Sequence, residues 1–214
     1  MKCAWPWICA ASLLSGCVTS PAETGHSTTT PPAQLKFSNP RQDPGAAAPV
    51  TVAFEIDGDS LLAHFKVTAA DISAKPQLAH DEYPYDFDVV ELFVRNAQSG
   101  SPAYYEFEVS PYNQALQVNV VEPRQQYHFG VKNGFTHRAT IVTGGWEAEM
   151  QIPLASLGWD GKQPLQLTGN AYAALGAGDR RVYWSLFELP PGKPDFHVPS
   201  AFRPLFGIPQ SYSR

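Results

Sequence analysis

Apolar and polar residues alternate with a period of two along most of the chain, which is the pattern of half-buried β-strands. Two early runs show it clearly, each with its apolar side chains on one face: Val52, Phe54 and Ile56, then Leu61, Ala63, Phe65 and Val67. The four residues between the runs, 57–60, read Asp-Gly-Asp-Ser and are typical of a tight turn. The two runs therefore predict a β-hairpin.

Residues 87–95 form a run that is apolar on both faces apart from its charges. Val90 and Leu92 point one way, whereas Glu91 and Phe93 point the other. This composition predicts a central strand with both faces covered.

The rest of the chain repeats the strand pattern. Six further strands are predicted over residues 104–110, 115–121, 138–142, 146–152, 165–174 and 181–187. A single helical turn is predicted over residues 153–157, and no long amphipathic helix. Nine short strands at this spacing predict an all-β fold, an antiparallel two-sheet β-sandwich of the jelly-roll or immunoglobulin-like kind.

The first 17 residues have the features of an export signal. Lys2 precedes an apolar stretch over residues 4–14, which is shorter than the roughly 20 residues that a membrane-spanning helix needs. Residues 14–17, Leu-Ser-Gly-Cys, resemble the lipobox of bacterial lipoproteins. That resemblance implies a signal peptide over residues 1–16, cleavage before Cys17 and attachment of lipid to the Cys17 sulfur.

Residues 17–34 are then the lipidated cysteine and a flexible linker, because the stretch is rich in Thr, Ser, Pro and Ala and has no hydrophobic pattern. Residues 35–214 are predicted to form a single domain. Val18 stands where many lipoproteins retained in the inner membrane carry aspartate. The expected location is therefore the outer membrane of a bacterial envelope.

Cleavage of the leader also decides the cysteine chemistry, since Cys3 and Cys9 leave with it and Cys17 alone remains. The mature domain then has no disulfide, no catalytic thiol and no cysteine metal site. The formal net charge changes from −5 to −6 once Lys2 is removed, which argues against a nucleic-acid partner.

Acidic residues concentrate in residues 81–88, just before the strand that carries Glu91. In an extended chain Asp86 and Asp88 project to one face, and Tyr85 and Glu91 to the other. Three interpretations stay open. These are a glycosidase pair with carboxyls about 5 to 10 Å apart, a calcium site built from acidic loop oxygens, and solvated surface acids with one buried, hydrogen-bonded glutamate.

Two other regions bear on chemistry. Glu106 and Glu108 alternate with apolar residues and are expected to face solvent, and the six histidines show no zinc-ligand spacing.

The proline-rich residues 190–199 hold their backbone rigid and present Phe196 and His197 at a fixed position. Either Phe196 stacks on a flat ligand or it plugs the end of the sandwich.

Four motifs, in order, resemble the carbohydrate-binding module family nine and its relatives, over roughly residues 50–208. They are residues 84–94 (PYDFDVVELFV), 104–111 (YYEFEVSP), 145–153 (GWEAEMQIP), and a tail with Trp184-Ser185 and residues 196–202 (FHVPSAF).

The resemblance implies a saccharide ring held between two aromatic side chains, with a glutamate accepting hydrogen bonds from its hydroxyls. Tyr85 and Phe196 occupy the positions of the family's two tryptophans, and Glu91 occupies that of its glutamate. His197 follows Phe196 in the same loop. Because tyrosine and phenylalanine offer less stacking area than tryptophan, binding is expected to be weaker than in the family.

The sequence thus predicts a membrane-anchored lipoprotein that binds carbohydrate without catalysis. No cofactor is predicted, with calcium left open. Two alternatives remain: an envelope accessory protein that contacts another protein, and a glycoside hydrolase that uses Asp86, Asp88 or Glu91.

Overall fold

The computed structural model describes residues 27–37 and 49–206. The predicted signal peptide, Cys17 and the first part of the predicted linker lie outside these ranges. Among the described residues, no helix is long and apolar enough to cross a membrane.

Strands and short 3-10 turns account for all the regular structure within those ranges. In chain order the strands are β1 (Thr28–Thr29), β2 (Ala33–Gln34), β3 (Lys36–Phe37), β4 (Val50–Asp57), β5 (Ser60–Thr68), β6 (Val89–Asn96), β7 (Tyr104–Val109), β8 (Ala115–Glu122), β9 (Gln126–Phe129), β10 (Thr136–Val142), β11 (Gly145–Pro153), β12 (Leu167–Leu175), β13 (Val182–Ser185) and β14 (Arg203–Pro204). The 3-10 turns are Pro84–Asp86, Ala97–Ser99, Leu154–Leu157, Gly178–Arg180 and Pro199–Ala201.

The strands form two sheets in which the paired strands run antiparallel. The first has the order β1-β4-β5-β11-β10, with β2 also on β4. The second has the order β3-β13-β12-β6-β7-β8-β9, with β14 also on β12. This confirms the predicted all-β, two-sheet sandwich, and the turn Leu154–Leu157 lies where a helical turn was predicted.

The inner faces of the two sheets bury the main core. The alternating apolar residues of β4, β5 and β11 pack there against the inward-facing residues of β6, β7 and β12. Trp146 on β11 is among the largest fully buried side chains. The period-two pattern is therefore a consequence of one sheet face being packed against the other sheet.

A second apolar cluster covers the outer face of the second sheet. It contains Phe93, Tyr104, Val118, Val120, Tyr172 and Phe202, with Leu189 and Phe196 packed against it. The last three contacts come from the segment after β13, residues 188–202, which lies over this face. Strand β6 is thus covered on both sides, as its composition predicts.

The structure differs from the predicted linker over its last residues. Thr28 and Thr29 pair with β4, as do Ala33 and Gln34, and Leu35 is buried. A strand at the edge of a sheet pairs through its backbone N–H and C=O groups and does not need alternating apolar side chains. A polar stretch that contains proline can therefore form a strand without showing the period-two pattern. The short strand β9 was missed for the same reason, since most of its side chains are exposed.

Asp88 ties three segments together at the start of β6. Its carboxylate accepts hydrogen bonds from the backbone N–H of Ser73 at 2.9 Å and of Gly176 at 2.6 Å, and the residue is 1% exposed. Each of the two carboxylate oxygens therefore already accepts a hydrogen bond from a backbone N–H group. Asp86 lies in the 3-10 turn Pro84–Asp86 and accepts a hydrogen bond from the Tyr83 N–H. The chain is therefore not extended back to Tyr85, and the faces assigned for an extended chain do not apply there.

We expect Asp88→Ala to lower the free energy of unfolding by about 2 to 4 kcal/mol, because it leaves two N–H donors without an acceptor at a buried site. Asp86→Ala removes a single exposed hydrogen bond and should cost less than about 1 kcal/mol. Urea unfolding of both variants measures the difference. Equal losses would contradict the structural role assigned to Asp88.

Candidate functional site

A pocket of about 470 Å³ lies on the outer face of the second sheet. Its lining comes from β6, β7, β8, β9, the end of β12, the turn Pro84–Asp86, and the segments around Arg124, Arg181 and Phe196. The charged and aromatic side chains of the lining include Tyr85, Glu91, Glu106, Glu108, Arg124, Arg181, Phe196 and His197.

Three glutamates from two neighbouring strands meet in this pocket. Glu91 on β6 lies directly opposite Glu108 on β7, and Glu106 lies two residues earlier on the same face. One carboxylate oxygen from each lies within 4.8 Å of the others. All three residues are buried.

The expectation that Glu106 and Glu108 face solvent is wrong. Their strand alternates as predicted, but the face that carries them is also covered, by residues 188–202 and by the neighbouring strands. Glu108 is 0% exposed. The alternation of apolar and polar residues shows which side chains share a face of the strand, but it does not show whether the polar face is exposed to solvent.

Burial dominates the electrostatics of the cluster. It raises the pKa of Glu91 well above its ordinary value, and the charge of Glu106 adds to this while Arg181 opposes it. Burial also raises the pKa of Glu108 well above its ordinary value, with further contributions from Glu91 and Glu106. The pKa of Glu106 is raised by burial as well. The cluster therefore resists carrying three negative charges at once.

Two arginines line the same pocket. The Arg181 guanidinium donates to the backbone carbonyls of Tyr85 at 2.5 Å and Phe87 at 2.9 Å, which ties it to the segment leading into β6. Arg124 forms an ion pair with Asp195. Both arginines thus have partners of their own beside the glutamates.

Aromatic rings form two walls. Tyr85 is 41% exposed, and its ring stacks on that of Tyr83 with centroids 5.1 Å apart and planes at 9°. Phe196 stacks on Tyr172 with centroids 4.1 Å apart and planes at 15°. The Tyr172 hydroxyl donates to the Phe196 carbonyl at 3.1 Å. Phe196 therefore packs on the outer face of the second sheet rather than plugging the end of the sandwich, and it also lines the pocket.

His197 lies between the aromatic cluster and the glutamates. Its Nδ1 is 2.7 Å from the Tyr104 hydroxyl, and its Nε2 is 3.8 Å from a Glu106 oxygen. Burial, with the nearby positive charge of Arg124, lowers the pKa of His197 to about 4. The imidazole is therefore neutral at physiological pH.

The four residues predicted from the sequence, Tyr85, Glu91, Phe196 and His197, line this one pocket. Asp86 and Asp88 do not. The lining residues that sequence reasoning missed include Glu106, Glu108, Arg124 and Arg181. Glu106 and Glu108 could have been found from the motif 104–111, had the pairing of β7 with β6 been known.

Comparisons with known proteins show where the chain belongs. No family model matches it. The UPF0462 protein C4orf33 homolog of Danio rerio is 31% identical to it over 160 residues, which cover 70% of this chain and 76% of that protein. The chain belongs to the UPF0462 family. The mouse homolog is 30% identical over 127 residues, 56% of this chain.

An extracellular protein of Arthroderma benhamiae is 26% identical over 141 residues. The chain spans about three fifths of the first relatives, covering 62% of the mouse homolog, 59% of the rat homolog and 61% of the Arthroderma protein. This member of the UPF0462 family therefore matches part of those proteins rather than their whole length.

Among solved structures, a candidate carbohydrate-binding protein from Bacteroides uniformis aligns with a TM-score of 0.67 at 19% identity, covering 80% of this chain and 84% of that one. This likeness shows that the two share a fold. A family 9 carbohydrate-binding module from Caldicellulosiruptor kristjanssonii, solved with cellotriose, aligns with a TM-score of 0.46 at 13% identity, covering 72% of this chain and 73% of that one.

We expect His197 to make the UPF0462 chain less stable in mild acid. Below about pH 6.5 the histidine is protonated in the unfolded chain but stays neutral in the folded one, where its pKa is about 4. Proton uptake therefore favours the unfolded state, and the folded state loses stability as the pH falls below about 6.5. The His197→Gln variant has no titrating side chain at this position, so it should not lose this stability. The wild type should therefore lose up to about 2 kcal/mol relative to the variant between pH 7 and pH 5. Parallel pH profiles in urea unfolding would contradict the assignment.

Proposed function

We propose that this chain is a lipid-anchored envelope protein that binds saccharides without catalysing their breakdown. The observation that carries the binding proposal is the convergence of Tyr85, Glu91, Phe196 and His197 on one pocket. Its volume of about 470 Å³ lies within the usual range of small-molecule sites, about 300 to 1,000 Å³.

The chemistry of the lining suits a polyhydroxylated ring. Tyr85 and Phe196 offer flat apolar faces to the C–H groups of a sugar. Glu91 and its neighbouring carboxyl groups accept hydrogen bonds from hydroxyls, while Arg124 and Arg181 donate to ring and hydroxyl oxygens. A ligand with both apolar faces and dense hydroxyls uses all of these groups.

The aromatic side chains are held in place before a ligand arrives. Arg181 fixes the backbone carbonyl of Tyr85, and Tyr83 backs its ring. Tyr172 backs the ring of Phe196 and also binds its carbonyl. Preorganised side chains lose little entropy on binding, which partly offsets the smaller stacking area compared with a tryptophan pair.

The aromatic and hydrogen-bonding groups of the lining favour saccharides as the ligand class. The Bacteroides uniformis protein with the same fold is described as a candidate carbohydrate-binding protein, which makes saccharides the first class to screen. Neither of the aspartates first considered for a hydrolase lines the pocket, so Glu91 has no partner from that pair.

The membrane anchor rests on the sequence motif ending at Cys17. Lipid on Cys17 keeps the domain at a membrane surface, where even a weak binder works at high local concentration. Val18 after it favours the outer membrane.

We expect Tyr85→Ala and Phe196→Ala each to weaken saccharide binding at least about tenfold, because each removes a stacking face. A glycan array identifies the ligand and calorimetry measures its affinity. Tyr112→Ala is the matched control, since Tyr112 is 39% exposed, much like Tyr85 at 41%, and does not line the pocket. No ligand across a broad library of plant and bacterial glycans, or an equal loss in the control, would overturn the proposal.

We expect the full-length protein to incorporate radiolabelled palmitate in a bacterial host and to sediment with membranes. Cys17→Ser should abolish both, because it removes the sulfur that takes the lipid. Cys9→Ser is the control and should change neither. Lipid labelling that persists in Cys17→Ser would show that the lipobox assignment is wrong.

A further inference from the structure

The three glutamates of the pocket lie close enough to bind one ion. One oxygen from each of Glu91, Glu106 and Glu108 lies within 4.8 Å of the others. Calcium binds oxygen at about 2.3 to 2.6 Å, so two oxygens on the same ion are separated by at most about 5 Å. A single cation can therefore contact all three carboxylates.

A second observation comes from Glu108 itself. Both of its carboxylate oxygens are buried, and no N–H or O–H donor of the described residues bonds to them in good hydrogen-bond geometry. Its polar neighbours include the Glu106 carboxyl group and the Tyr85 backbone N–H, and its side chain lines the pocket. Buried carboxylates are normally bonded to donors, because leaving them without partners is costly. The groups beside Glu108 bring no positive charge to it, and the pocket is the side from which a cation can reach it.

The arginines and the histidine near the three glutamates make their contacts with other groups. Arg124 pairs with Asp195, and Arg181 donates to two backbone carbonyls. His197 approaches Glu106 rather than Glu108, with its Nε2 at 3.8 Å. None of these contacts, among the described residues, closes an ion pair on Glu91 or Glu108.

Like charges placed directly opposite across two strands destabilise a sheet. Glu91 and Glu108 are opposite each other, on a face whose other positions hold Phe93, Tyr104 and Val118. Apolar residues at the glutamate positions would pack more favourably there. A bound ligand that needs the carboxylates is a physical reason for keeping them.

We propose that Glu91, Glu106 and Glu108 bind one hard divalent cation, of the Ca²⁺ or Mn²⁺ class, on the wall of this pocket. The donor set contains only carboxylate oxygens, which such ions prefer. The protein supplies three ligands, and the pocket is where water or a ligand's hydroxyl groups complete the shell. This site differs from the calcium site considered in residues 81–88, where both Asp88 oxygens accept hydrogen bonds from backbone N–H groups.

The test is titration of the chelator-treated full-length chain with CaCl₂ and, separately, MnCl₂ by calorimetry. We expect one cation per chain. Thermal unfolding should shift upward by about 5 °C or more when the cation is present at about 100 times its Kd. Glu108→Gln should lower the affinity at least tenfold, and Glu106→Gln should do the same, because each removes a charged ligand while keeping the side chain's shape.

Glu147→Gln is the matched control, because Glu147 is a glutamate on the other sheet that pairs with Lys66. It should bind the cation as the wild type does. Thermal unfolding in chelator checks that each variant folds. The proposal is overturned if the wild type binds neither ion at millimolar concentration, or if affinity is unchanged in Glu106→Gln and Glu108→Gln. The titration contains no sugar, so its outcome is separate from that of the saccharide screen.

Discussion

The antiparallel register of β6 against β7 sets Glu91 opposite Glu108 and brings Glu106 onto the same face. Three acidic side chains on one buried patch repel one another and lose their hydration, and both effects favour neutralisation. The rest of the pocket depends on this constraint. Its arginines, its neutral histidine and its aromatic walls are arranged around a centre that needs a proton, a cation or a hydroxyl donor.

The second sheet is covered on both faces, and the two faces have different purposes. One packs on the first sheet and is mostly apolar. The other carries a smaller aromatic cluster, closed by residues 188–202, and beside it the polar pocket. Packing on the first face holds the strands in register, and that rigidity positions side chains on the second face to within the tolerance that recognition needs.

Hydrogen bonds to the backbone bring the loops of the pocket to the sheet. Asp88 binds the N–H groups of Ser73 and Gly176, and Arg181 binds the carbonyls of Tyr85 and Phe87. A residue that reads as a catalytic or metal-binding acid in the sequence, Asp88, is therefore a structural clamp. Glu106 and Glu108, by contrast, line the pocket although the alternation of their strand suggested a solvent-exposed face.

The sequence by itself determined the fold class, because burying one face of each strand imposes a period of two that is visible without coordinates. The resemblance of four ordered motifs to a known family also implied that Tyr85, Glu91 and Phe196 share a site, with His197 next to Phe196 in the chain. Only the tertiary structure decided that Glu106 and Glu108 are buried, that Arg124 and Arg181 reach the same pocket, and that residues 28–29 and 33–34 pair with a sheet. These features depend on which strands pair and on what covers the outer face, and such long-range contacts leave no local periodicity in the chain.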